Sequence, residues 1–230
     1  MLELTPLEIE ALGLSLKVAL WSVLASLPFG LAVAWLLARR AFFGKALLDG
    51  IVHLPLVLPP VVVGYLLLLL LGRHGPLGSW LDATFGIALP FTWEGAALAA
   101  AVMAFPLMVR AMRLSIEAVD RKLETAARTL GATRVDVFLT VTLPLMLPGI
   151  LAGALLAFAR SLGEFGATIT FVASIPGETS TLPLALYSLI QTPGGEAGAL
   201  RLAVLSVLLS VAALAASELV ARRLRARLEG

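Results

Sequence analysis

An all-α polytopic membrane protein is the fold class that the sequence predicts, and three observations carry it. Of 230 residues, 60% are hydrophobic and 14% charged, against about a quarter charged in soluble domains. The apolar residues gather in runs close to the roughly 20 residues that cross a bilayer core as a helix. The basic residues gather between those runs, in clusters that alternate with a loop nearly free of them, which is how membrane helices are oriented. So few polar residues cannot cover a core of this size in water. That excludes a soluble enzyme, a disordered chain and a free nucleic-acid binder. The net charge is only +2, and there is no cysteine, so disulfides, thiolate metal sites and a cysteine nucleophile are excluded too.

Five spans are predicted, over residues 12–38, 51–72, 94–116, 137–163 and 198–221. The first is uncharged over 18–38, with Lys17 snorkelling at its end. Glu3, Glu8 and Glu10 precede it without Lys or Arg, unlike the basic start of a signal peptide, so it reads as a retained helix. The second is uncharged over 54–72, with Pro55, Pro59 and Pro60 interrupting its start. The third lies between Glu94 and Arg110 and is short, so it is extended through Arg113 toward Ile116, its cations reaching the headgroups. The fourth is uncharged over 137–159, and residues 202–217 form the core of the fifth.

Residues 165–200 are apolar but broken by Gly166, Pro176, Gly177, Pro183, Pro193, Gly194 and Gly195. Hydropathy alone would allow a sixth span over 179–195. Charge decides against it. Arg39, Arg40 and Lys45 follow span one, and six basic residues from Arg110 to Arg134 follow span three. Arg222, Arg223, Arg225 and Arg227 form the tail, and the loop after span two holds only Arg73. Five spans with the N-terminus outside bring all three clusters to the cytoplasm. Residues 165–197 then form an outer-side hairpin that dips into the membrane without crossing. Broken backbone at that depth needs a protein bundle or a wet cavity around it, so the hairpin is a candidate gate. Five spans are few to enclose a pathway, which predicts a second copy of the chain.

The loop 117–144 carries the most information. Asp120 can cap a helix in which Leu123, Ala126, Ala127 and Leu130 make a small-sided apolar stripe. Gly131 is a helix stop, and a second short helix runs from Thr133 toward Leu143, before Pro144 and Pro148 open span four. Arg121, Lys122, Arg128 and Arg134, with Glu117, Asp120 and Glu124, rim the stripe. By pattern alone this is either a helix lying on the membrane surface or a docking site for a partner.

Its spacing resembles the EAA motif of ABC importer membrane subunits: E-A-A, three residues, G, nine residues, I-x-L-P. Ala126, Ala127, Gly131, Leu143 and Pro144 match it. Thr125 stands in the place of the Glu, with Glu124 one position earlier, and Val141 replaces the Ile. HLPLVLPPVVVGYLLL from His53, FPLMVRAMRLSIE from Phe105, FARSLGEFGATITFV from Phe158, IPGETST from Ile175 and LIQTPGGEAGA from Leu189 resemble the membrane subunits of molybdate ABC importers. The sulfate and thiosulfate permeases are similar and also tend to carry a Gly-Glu-Phe/Tyr-Gly element.

The resemblance implies a type I ABC importer permease fold, with five transmembrane helices plus a broken re-entrant or gate segment. It implies a homodimer in membrane lipid, two cytoplasmic ATPase subunits docked on the EAA loops, and a periplasmic or lipid-anchored molybdate-binding protein outside. The compartment would be a bacterial or archaeal cytoplasmic (inner) membrane. ATP and Mg would sit on the ATPase, leaving this chain without cofactor, metal, catalytic residue or nucleic-acid partner. The chain has no Walker A pattern. Tungstate or sulfate is the alternative cargo, and an ATP-independent channel or secondary transporter the alternative class.

Pathway candidates cluster at the end of span four: Arg160, Ser161, Gly163, Glu164, Gly166, Thr168 and Thr170. Arg160 and Glu164 are four apart and can pair on a helix, as a gate or as a structural lock. The hydroxyls, with Ser174, Thr179, Ser180 and Thr181, could pass a dianion along or simply cap turns. Gly163 and Gly166 permit a bend or close packing. His53 and His74 are too far apart to suggest a metal site, and Ser22, Ser26 and Ser161 have no nearby base.

Overall fold

A computed structural model describes residues 5–229. Among the described residues every regular element is helical, with no strand. Helix α1 (Pro6–Arg39) opens on a capping box. Thr5 accepts the Glu8 amide, and Glu8 accepts the Thr5 amide at 2.8 Å, so two orphan donors are satisfied. Lys17 to Arg39 covers about 33 Å at roughly 1.5 Å per residue, close to the thickness of a bilayer core. Lys17 Nζ sits 3.6 Å from the centre of the Trp93 ring, an aromatic–cation contact suited to a membrane interface. The first turns of α1 therefore project beyond the core.

The stretch predicted as a span over 51–72 is two helices, α2 (Lys45–Val57) and α3 (Pro60–Leu71), meeting at 116°. The cause is local. Pro59 and Pro60 remove two consecutive amide donors and force the residues before them out of the helical region. Leu58 (φ −71°, ψ 142°) and Pro59 (φ −55°, ψ 132°) are accordingly extended. Pro55, by contrast, is absorbed within α2. A short helix, α4 (Pro76–Phe85), fills the following loop and stops at the left-handed Gly86.

Helix α5 (Trp93–Ala118) is the central post and packs against both α1 and the long helix that follows the loop. Its small buried residues, among them Gly95, Ala96, Ala99, Ala100 and Ala104, let neighbouring backbones approach. Below them Met108, Met112 and Ile116 meet Leu37 and Met146 in the larger core. The loop folds as α6 (Arg121–Thr129) and α7 (Arg134–Val137). A π-helical turn over Phe138–Thr142 then runs straight into α8 (Leu143–Leu162). The π turn lies where Pro144 would leave the Thr140 carbonyl without its usual donor.

Residues 165–197 hold α9 (Gly166–Val172) and α10 (Leu182–Ile190), each too short to cross a bilayer alone. α9 packs on α3 and α5, and α10 on α1 and on α11 (Glu196–Glu229). Among the described residues four helical segments are long and apolar enough to span, or five if the bent pair counts as one. The side chains of the tail cluster from Arg222 to Arg227 lie outside the described residues.

Candidate functional site

Helix α6 hangs below the bundle with none of its residues fully buried. Asp120 Oδ1 accepts the Lys122 amide at 2.9 Å and starts it. Gly131 ends it at φ +92°, a left-handed conformation that disfavours any side chain, and its amide donates to the Arg128 carbonyl. Arg121, Glu124, Thr125 and Arg128 follow the i, i+3, i+4, i+7 spacing of one helix face. Leu123, Ala126 and Leu130 lie on the other. Leu123 is 49% and Leu130 88% exposed, so the apolar stripe is turned away from the protein's own core.

Glu124 does not share that outward direction. Its Oε1 accepts from Arg39 Nη2 at 2.8 Å and from Thr142 Oγ1 at 2.9 Å. One carboxylate thereby ties α6 to the C-terminal end of α1 and to the π turn. Arg39 itself is 10% exposed at its side chain and lies beside the Trp35 ring. Thr125 Oγ1 donates to the Arg121 carbonyl of its own helix. Ala126 is exposed and Ala127 half-buried; Val141, Leu143 and Pro144 are half-buried where the π turn meets α8. Arg121, Lys122, Arg128 and Arg134 are exposed, and no ion pair among the described residues engages them.

At the other end of α8, Arg160 Nη1 pairs with Glu164 Oε2 at 2.7 Å, with the Glu164 side chain 2% exposed. The other Glu164 oxygen accepts the Ala167 amide at 2.8 Å, so this carboxylate also caps the start of α9. Ser161 Oγ accepts from Ser22 Oγ at 2.9 Å and joins α8 to α1. Thr168 and Thr170 donate to the carbonyls of Phe165 and Gly166, each at 2.9 Å. Their protons are committed to the local backbone. Thr179 Oγ1 similarly accepts the Ile175 amide and donates to the Ala173 carbonyl, while Ser174 accepts from Ser188 and pairs with Ser180.

The two glycines differ. A Cβ at Gly166 would stand 2.6 Å from Pro60 Cβ, whereas Gly163 faces open space. Gly64 completes the close crossing, since a Cβ there would collide with the Ala167 carbonyl. The bent α3 is thus seated on α9 through Gly64 and Gly166.

Four charge contacts escaped sequence reasoning. Besides Arg39–Glu124, Arg201 Nη2 meets the buried Glu8 at 2.9 Å beside a cavity of about 350 Å³. Arg113 bridges Asp49 at 3.2 Å and Glu117 at 2.8 Å. Only the last pairing, four apart on one helix, has a local signal; the others join residues 85, 193 and 64 apart. The described residues hold no cluster of three metal-ligating side chains.

The chain has relatives of known name and structure. The chain is 64% identical to the molybdenum transport system permease protein ModB of Escherichia coli K12, over 97% of this chain and 98% of that one. It is 41% identical to the sulfate transport system permease protein CysW of a Synechocystis species, over 86% and 72%. A solved structure of the MetNI methionine ABC transporter in an inward-facing conformation superposes with a TM-score of 0.72. It covers 95% of this chain and 96% of that one at 18% identity, and so shows the type I importer permease fold. The family described as binding-protein-dependent transport system inner membrane component matches residues 26–226, and the chain belongs to that family.

Proposed function

We propose that this chain is the membrane-spanning permease subunit of an ATP-driven importer and translocates molybdate delivered by an external binding protein. The likeness to the E. coli molybdenum permease, nearly full-length at 64% identity, carries the choice of cargo. The sulfate permease is both more distant and less fully covered.

ATPase subunits dock on the loop 117–144. The exposed Leu123, Ala126 and Leu130 stripe supports that reading, because an apolar face left open on the polar side of a membrane protein suits a partner surface. Two copies of the chain face each other, with the N-terminus outside and the basic loops in the cytoplasm. ATP and Mg bind on the ATPase, where the chemistry occurs, and this chain supplies coupling alone. A pull on α6 passes through Glu124 to Arg39 on α1 and to Thr142 ahead of α8. Because α8 carries Arg160 at its far end and Arg160 pairs with Glu164, which caps α9, motion of the lower end of α8 reaches the α9 segment.

Reconstitution with an ATPase and a candidate binding protein tests this. Molybdate should stimulate ATP hydrolysis and accumulate inside vesicles. Stimulation by sulfate and not by molybdate would redirect the cargo, and no stimulation by either would remove the ATP-driven importer reading.

A further inference from the structure

A cavity of about 250 Å³ lies between α6 and the spans, on the side of α6 away from its apolar stripe. Arg121, Arg128 and Arg134 line it with Thr125 and Thr142, and Trp35, Val137 and Phe138 supply apolar wall. Three guanidiniums thus converge without a carboxylate of their own. The one acidic residue in the lining, Glu124, is already neutralised by Arg39 at 2.8 Å. Trp35 sits one turn before Arg39, the residue that marks the charged end of α1, and its ring packs edge-on against Phe138 at 5.4 Å. The cavity therefore grades from aromatic to cationic beside the charged end of α1, the order of polarity of a phospholipid.

We infer that this cavity binds a phosphate-bearing anion, with the headgroup of an anionic phospholipid as its ligand. Arginine forks match phosphate oxygens in paired hydrogen bonds. The aromatic wall favours a lipid over a free anion, which has no apolar part to place there. An acidic side chain of the ATPase is disfavoured because the partner-suited stripe of α6 lies on the opposite face. Placement in the inner leaflet rests on the orientation proposed above. Binding in detergent does not, so a failure here leaves that orientation untouched.

The test is native mass spectrometry of the full chain in mild detergent, with thermal unfolding in parallel. The probes are dioleoyl phosphatidylglycerol, dioleoyl phosphatidylcholine and inorganic phosphate. Phosphatidylglycerol should be retained over phosphatidylcholine and should raise the melting temperature. The double variant Arg128→Gln with Arg134→Gln should weaken that retention about 25-fold, roughly fivefold for each cation. Arg121→Gln alone should cost about fivefold and serves if the double variant does not fold. Lys122→Gln, an exposed cation of the same helix that does not line the cavity, should change nothing. Binding of inorganic phosphate with the same loss in the variants, and no preference between the lipids, would keep the anion site and replace the lipid as its ligand. Absence of binding by either anion, or an equal loss in Lys122→Gln, would overturn the site. So would unchanged lipid and phosphate binding in a double variant that no longer associates with the ATPase.

Discussion

Helices α6 and α9 are both short, both interrupt the chain beside long helices, and are held in opposite ways. α6 buries no residue fully and is fastened mainly by one carboxylate reaching two other elements. α9 buries Ala167, Thr168, Phe171 and Val172 and meets α3 through positions where a single methyl would not fit. A directional ion pair lets a helix stay exposed while its position remains defined. A steric fit demands burial and tolerates no added atom. The first suits a surface that must be handed to a partner, the second a segment embedded in a bundle.

The largest effect should follow from adding volume at the α3–α9 crossing. Gly64→Val drives side-chain atoms into the Ala167 carbonyl, where the obstacle is backbone and cannot rotate aside. Overpacking of this kind costs at least about 1–3 kcal/mol, so the yield of detergent-stable protein and its melting temperature should both fall. Wild-type stability would mean that α3 and α9 are not in contact.

Removing the carboxylate of α6 should act more selectively. Glu124→Gln leaves Arg39, almost enclosed, without its ionic partner. The loss of a charged hydrogen bond is about 1.5–3 kcal/mol, concentrated on the attachment of α6. Molybdate-stimulated ATP hydrolysis should drop while membrane insertion is retained. If the pair is the link, Arg39→Ala and Glu124→Ala should be clearly non-additive in a double-mutant cycle. Additive losses would separate the two residues.

Gly131→Val tests the same helix through its end. Its Cβ has open space, but the φ of +92° is strained for a β-branched residue, at about 1–2 kcal/mol. Weaker ATPase association with normal insertion is expected, and normal assembly and uptake would count against the docking surface. The smallest effect belongs to α9: Thr170→Ala removes one donor to the Gly166 carbonyl, worth about 1 kcal/mol. Uptake should stay near wild type, and a large loss would restore that hydroxyl to the pathway.

Much of this architecture was legible beforehand because it is written in local pattern. Uncharged runs announced the long helices, and the Asp120 cap and Gly131 stop bounded α6. The break at Pro59 and Pro60 was visible as an interruption, yet its 116° angle was not, since consecutive prolines forbid a straight helix without selecting a direction. For Thr168 and Thr170 the sequence left an anion-passing role and a local backbone role side by side; on a formed helix their nearest acceptors are carbonyls three and four residues back. Gly163 and Gly166 looked equivalent, and only the neighbour Pro60 distinguishes them.

What the sequence by itself determined is a helical membrane protein, the places where its chain breaks, and the helix bounds of the loop 117–144. Hydropathy, proline geometry and capping act over a few residues and need no knowledge of neighbours. Tertiary structure alone decided that Glu124 faces Arg39, that Glu8 faces Arg201, and that Gly64 and Gly166 seat α3 on α9. Those contacts join helices through packing, and the partner of a charge or the neighbour of a glycine exists only once the bundle has closed.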